Sequence, residues 1–147
     1  MHKQHGRSFT ARRLYPCQPQ DVWDIITSEE FVLRSWVRSL EGPLTTRAGF
    51  SLPVTTAAIP GTAFSGYFDC QFIEVRPGER LRFWLTSISA KPNTFHGTFN
   101  LDLRDDQTCL SLTLSGFASK PLTHAPVHHM LEEALEYLTK PLRTSDR

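Results

Sequence analysis

Phe64-Ser-Gly-Tyr-Phe-Asp-Cys-Gln-Phe72 decides the fold, because its chemistry changes sides at every step. Phe64, Gly66, Phe68, Cys70 and Phe72 fall on one face, with Ser65, Tyr67, Asp69 and Gln71 on the other, the period of two that a half-buried strand requires. The rule repeats downstream in Leu81, Phe83 and Leu85, in Phe95, Gly97, Phe99, Leu101 and Leu103, and in Leu110, Leu112 and Leu114. Arg76-Pro-Gly-Glu79 and Arg104-Asp-Asp-Gln107 separate these runs with turn residues. The stretch from Arg47 to Gly116 therefore reads as an antiparallel meander with one apolar face.

On the amino-terminal side, Ser8 to Leu14 alternates weakly and reads as a further strand. Pro19 then opens a helical run, Asp21-Val-Trp-Asp-Ile-Ile26, where its missing N–H would be unpaired in any case. Thr27 and Glu30 have the spacing of a capping box, which predicts a second short helix carrying Phe31, Val32 and Trp36. On the carboxy-terminal side the period returns to 3.6. Val127, Met130, Leu131, Ala134, Leu135 and Leu138 form one apolar stripe, His128, Glu132, Glu133 and Glu136 lie opposite, and Pro141 ends the run. A helix of about 16 residues is about 24 Å long, enough to cross a curved sheet. The fold class is α+β in the order β-α-α-β(5-6)-α, a curved antiparallel sheet wrapped around a long C-terminal helix. Residues 8–141 make one domain, between a flexible tail at 1–7 and a C-terminal tail at 142–147.

A chain of 147 residues suits one domain and one core. Sixteen Lys and Arg against fifteen Asp and Glu leave a formal charge of +1, with no basic excess to neutralise phosphates, so nucleic acid is not the expected partner. The longest uncharged stretch, Ala48 to Phe68, holds two prolines and three glycines and reads as strand-loop-strand, not as a membrane span. Met1 to Arg7 has basic residues without an apolar run behind them, so no secretory signal is read there. The three cysteines Cys17, Cys70 and Cys109 lack any metal-ligand or disulfide rhythm and fit reduced thiols in a cytoplasmic protein.

Arg13-Leu-Tyr-Pro-Cys-Gln-Pro-Gln-Asp-Val-Trp23 with Thr27 and Trp36, then Gly49-Phe50, Ile73-Glu-Val-Arg-Pro-Gly-Glu-Arg-Leu81, Thr108 to Phe117 with its closing Ser-Gly-Phe, and the terminal helix stand in a distinctive order. In that order the chain resembles the START/SRPBCC helix-grip superfamily, in the branch named after the activator of heat shock protein 90 ATPase, over roughly residues 8–140. It departs at Cys17, where the branch has Ala, and at Trp84, which alternation sends to the outer face although the branch has a Trp near Leu85.

The resemblance implies a cavity between sheet and terminal helix that holds a hydrophobic, aromatic or lipid-like small molecule. Its walls would be Phe50, Leu52, Phe64, Phe68, Phe72, Phe83, Phe95, Phe99 and Met130, with Trp36, Phe117 and Ala134, and Gly66 and Gly97 would leave space where side chains would otherwise stand. Residue types alone favour a filled aromatic core over a pocket. Arg13 and Glu74 fall on the inward register and are the polar cavity candidates, read first as a salt bridge with each other and second as groups that orient a ligand. His124 and His128 stand one helical turn apart without a third ligand beside them, and His96 alternates outward, so no metal site and no cofactor are expected.

No phosphate loop, nucleophile elbow or paired-carboxylate motif occurs in the sequence. That absence does not exclude an enzyme; among the functions the resemblance implies, ligand binding leads, with a link to stress response suggested by the branch name. An enzyme of the cyclase or dehydratase kind in the same cavity comes next, then a chaperone partner, which the short segment before the first strand disfavours. Trp84 and Tyr67, on outward strand faces, predict an apolar patch that a homodimer could bury.

Overall fold

Seven strands and two short helices make up most of the described residues. A computed structural model describes residues 7–35, 37–58, 64–90, 92–117, 129–133 and 135–136. In chain order these are β1 (Arg7–Tyr15), α1 (Pro19–Ile26), α2 (Glu29–Ser35), β2 (Val37–Leu40), β3 (Ser51–Thr56), β4 (Tyr67–Arg76), β5 (Arg80–Ser87), β6 (Thr94–Arg104) and β7 (Gln107–Phe117). Helical backbone returns at 129–133 and 135–136. One curved antiparallel sheet takes the order β1-β7-β6-β5-β4-β3-β2, which puts β1 and β2 on opposite edges. The two helices must therefore carry the chain across the sheet, and α1 packs on β6 and β7 while α2 packs on β2.

Local chemistry explains the element ends. Pro19 occupies the first turn of α1, and the Asp21 carboxylate accepts the Gln18 N–H at 3.3 Å. The expected Thr27–Glu30 box is replaced. The Thr27 hydroxyl donates back to the Trp23 carbonyl at 2.8 Å, and Ser28 Oγ accepts the Phe31 N–H at 3.2 Å, so Ser28 caps α2. Thr27 is held at the C-cap of α1 and cannot also begin the next helix. The turn at Asp105 and Asp106 has φ of 50° and 67°, the twist that suits a two-residue hairpin.

Two departures from alternation reshape the sheet. Phe72 pairs with Phe83 but Glu74 pairs with Arg82, so Ile73 is an extra residue in β4 and every side chain beyond it changes face. At the other end Arg7 pairs with Phe117 and Ser8 with Ser115, leaving Gly116 as the bulge at φ 109°. That bulge turns Phe117 inward. Strand β2 is a four-residue edge strand beyond the predicted second helix, in a stretch to which the sequence assigns no element.

The inward faces of the strands meet α1, α2 and the 129–136 segment in one apolar core. Phe9, Phe64, Phe68, Phe95 and Phe117 cluster ring on ring at one end, with Phe64 4.6 Å from Phe68 and Phe95 4.8 Å from Phe117 between centroids. Leu131 and Leu135 of the terminal stripe are buried, whereas Val127, Ala134, Leu138 and Pro141 lie outside the described residues, as do 1–6 and 142–147 of the predicted tails; Arg7, expected in the tail, begins β1 by pairing with Phe117.

Candidate functional site

Phe83 on β5 and Phe99 on β6 face the helices from the middle of the sheet, their ring centroids 6.1 Å apart. They divide the space beneath into two apolar voids of about 20 Å³ each, room for about one water apiece. One void lies toward α1, α2 and β3, against Ile26, Val32, Leu52 and Phe72. The other lies toward β7 and the terminal segment, against Phe64, Leu112, Met130 and Leu131. A third hollow of about 250 Å³ opens between α2, β2 and the terminal segment, lined by Leu33, Arg34, Ser35, Val37, Arg38, Ala57, Met130 and Glu133. Val37 borders this groove and the first void, and Met130 borders the groove and the second. Single side chains thus stand between three hollows.

The expected cavity residues separate accordingly. Leu52, Phe64, Phe72, Phe83, Phe99 and Met130 line the voids. Phe50 is half-buried and stacks on Phe72 at 6.3 Å, one step behind that wall. Phe68, Phe95 and Phe117 line none of the three hollows, because they pack into the aromatic cluster. Trp36 and Ala134 lie outside the described residues. The two glycines do not open space as expected. A Cβ at Gly97 would overlap the Phe83 ring, so that ring already occupies the vacancy. Gly66 has φ of 98°, and a Cβ there would come within 2.9 Å of the Thr56 carbonyl, so it serves a close bend of the backbone.

Arg13 and Glu74 are not partners. Arg13 keeps its inward position but reaches Glu132 at 3.0 Å and Glu136 at 2.7 Å on the terminal segment. Those hydrogen bonds, Glu136 first and Glu132 second, push its guanidinium further above the usual range. The bulge at Ile73 sends Glu74 to the outer face, where it lies 3.8, 3.6 and 3.6 Å from Arg76, Arg80 and Arg82. Neither lines any of the three hollows. Removing Arg13 and Glu74 singly and together should accordingly give unfolding free energies that add within about 0.5 kcal/mol. A double-mutant cycle in urea with a larger coupling would contradict this geometry.

Polar chemistry around the voids is sparse. Thr27 and Thr46 edge the first void beside Cys70, whose thiol burial and the negative charge of Asp69 push up to about 12. It stays neutral and is a poor nucleophile. His129 pairs with Glu133 at 3.5 Å, His96 sits edge-on to Trp84 on the outer face, and His124 and His128 lie outside the described residues. Among the described residues no group of three His, Cys, Asp or Glu could hold a metal, and no helix is long and apolar enough to cross a membrane. Trp84 faces outward as its alternation predicts, but Asp69 and Thr86 occupy the positions between it and Tyr67, so the two aromatics belong to separate patches.

The sequence missed Val37, Arg34 and Arg38. Val37 needed β2 to be recognised, and an exposed arginine pair carries no periodic signal until the groove is known.

The family model described as "Activator of Hsp90 ATPase homolog 1-like protein" matches residues 16–143. No curated protein matches the chain. Among solved structures, protein MLL2253 from Mesorhizobium loti is similar with a TM-score of 0.77 at 17% identity, over 96% of this chain and 100% of that one. The Aha1 dimer from Colwellia psychrerythraea gives 0.70 at 15% identity, over 92% and 96%. DynU16, described as a putative protein in the dynemicin biosynthetic locus, gives 0.72 at 19% identity, over 94% of this chain and 48% of that one. Identities this low speak for the fold alone.

Proposed function

Since the chain belongs to the family described as Activator of Hsp90 ATPase homolog 1-like protein, we propose that it binds a hydrophobic small molecule between the sheet and the terminal helix. One observation carries the reading: three hollows each share a wall with the other two, through Val37, Met130, and Phe83 with Phe99. Two voids of about 20 Å³ hold no such ligand as they stand. A ligand must therefore enter by the groove, displace Met130 and separate the two phenylalanines. Met130 suits that role because an unbranched thioether repacks with little strain. Methyl and aromatic surface lines the route, so the ligand gains by leaving water.

Binding is favoured over catalysis by what lines the voids. Among the described residues Thr27, Thr46 and a neutral Cys70 are their polar members, and no carboxyl or imidazole lines them to move a proton. A thermal-shift screen of fatty acids, flavonoids and sterols tests the reading. A true ligand at a hundred times its dissociation constant should stabilise the protein by about 2.7 kcal/mol. At a fixed ligand concentration the shift should persist in Trp84→Ala, on the outer face, and grow in Met130→Ala, where the ligand no longer has to displace the thioether. No shift with any class, in wild type or in Met130→Ala, removes the proposal.

A further inference from the structure

Building on the cavity reading above, we infer that the ligand is a carboxylate-headed amphiphile whose charge rests on Arg34 and Arg38 at the groove while its apolar body passes Met130 into the voids. The inner voids decide half of this. Their walls offer aliphatic and aromatic surface with two threonine hydroxyls and a neutral thiol, so a charged ligand group placed there would be stripped of water without an ionic partner. The polar end must stay in the groove.

The groove decides the sign. Arg34 on α2 and Arg38 on β2 line it beside Ser35, against Glu133 from the terminal segment. Arg34 has Glu30 at 3.4 Å, but both side chains are more than two-thirds exposed, at 70% and 74%, so water competes for that pair. Arg38 has no carboxylate within ion-pair distance among the described residues. Glu133 faces His129 one turn away at 3.5 Å. Arg38 is thus a guanidinium without a carboxylate partner among the described residues, and the exposed Arg34–Glu30 pair can yield to a ligand, so the site favours an anion, and a planar carboxylate matches the fork better than an alcohol can.

Matched probes separate the charge from the cavity. Dodecanoate, dodecanol and dodecylamine are titrated below their aggregation limits into wild type and into the folded double variant Arg34→Gln/Arg38→Gln. Dodecanoate should bind wild type about three- to fivefold more tightly than dodecanol, dodecylamine should bind more weakly than either, and added salt should narrow the gap. The double variant should bring dodecanoate down to the affinity of dodecanol and leave dodecanol unchanged. Glu133→Gln, which leaves both arginines in place, should tighten dodecanoate about two- to threefold. If dodecanoate and dodecanol bind alike, if the gap survives the double variant, or if dodecylamine binds best, the charge assignment is wrong while the cavity stands. If none of the three binds, the cavity proposal fails and takes this inference with it.

Discussion

Cutting Leu135 back to alanine is expected to cost about 2 to 5 kcal/mol of unfolding free energy, although it touches no proposed ligand group. Leu135 has no exposed surface, and Leu131 one turn earlier is 3% exposed, so the pair anchors the terminal segment in the core. Polar contacts fix the same turn from outside: the Tyr15 hydroxyl donates to the Leu135 carbonyl at 2.9 Å, and Arg13 holds Glu132 and Glu136. All of these partners sit on β1, the edge strand, so losing the segment uncovers that side of the sheet. Tyr15→Phe removes only the hydrogen bond and should cost about 1 kcal/mol. Urea unfolding of both variants checks the ranking. A Leu135→Ala loss below about 1 kcal/mol would mean that the segment is peripheral to the fold.

The sheet was legible because alternation is a property of the backbone itself: successive side chains point to opposite faces whatever the strand pairs with. Phe68, Cys70, Leu81, Phe83, Phe95 and Leu112 all follow it. Glu74 does not, because a bulge depends on how β4 is paired with β5, and no residue in Phe72-Ile-Glu74 announces the slip. Phe117 is the reverse case. Strict alternation would send it outward, and the Gly116 bulge returns it to the core. Strand β2 was hidden for a different reason, since four residues after a helix are too few to display a period.

For the site, composition and resemblance named Leu52, Phe64, Phe72, Phe83, Phe99 and Met130, which line the voids, but not the free volume between them. The phenylalanines expected around a cavity are of two kinds, and only three-dimensional neighbours distinguish them. Phe68, Phe95 and Phe117 face one another, whereas Phe83 and Phe99 face the voids. Free volume depends on where each ring turns, which one strand's residue pattern does not encode. The groove was less legible still, because Arg34, Arg38 and Glu133 come from three elements and each reads alone as an ordinary solvated charge.

Phe83→Ala should have an effect as large as that of Leu135→Ala and should reveal the cavity directly. Removing a ring that is 3% exposed costs about 3 to 5 kcal/mol. The ring also borders both voids, so its loss joins them into one apolar chamber of the kind that stays dry and accepts benzene. Benzene or toluene at a hundred times its dissociation constant should then restore about 2.7 kcal/mol to the variant and leave wild type nearly unmoved. Gly97 supplies the internal check. Gly97→Ala alone forces its Cβ against the Phe83 ring and should cost about 1 to 3 kcal/mol. Once the ring is gone that clash has no partner, so the double variant Phe83→Ala/Gly97→Ala should be more stable than the two single costs predict. Strict additivity would show that the ring does not rest on Gly97. Failure of benzene to stabilise Phe83→Ala would show that the voids do not merge, and a ligand passing Met130 would then be confined to the void beside β7, leaving the void beneath α1 and α2 to be reached only past Val37.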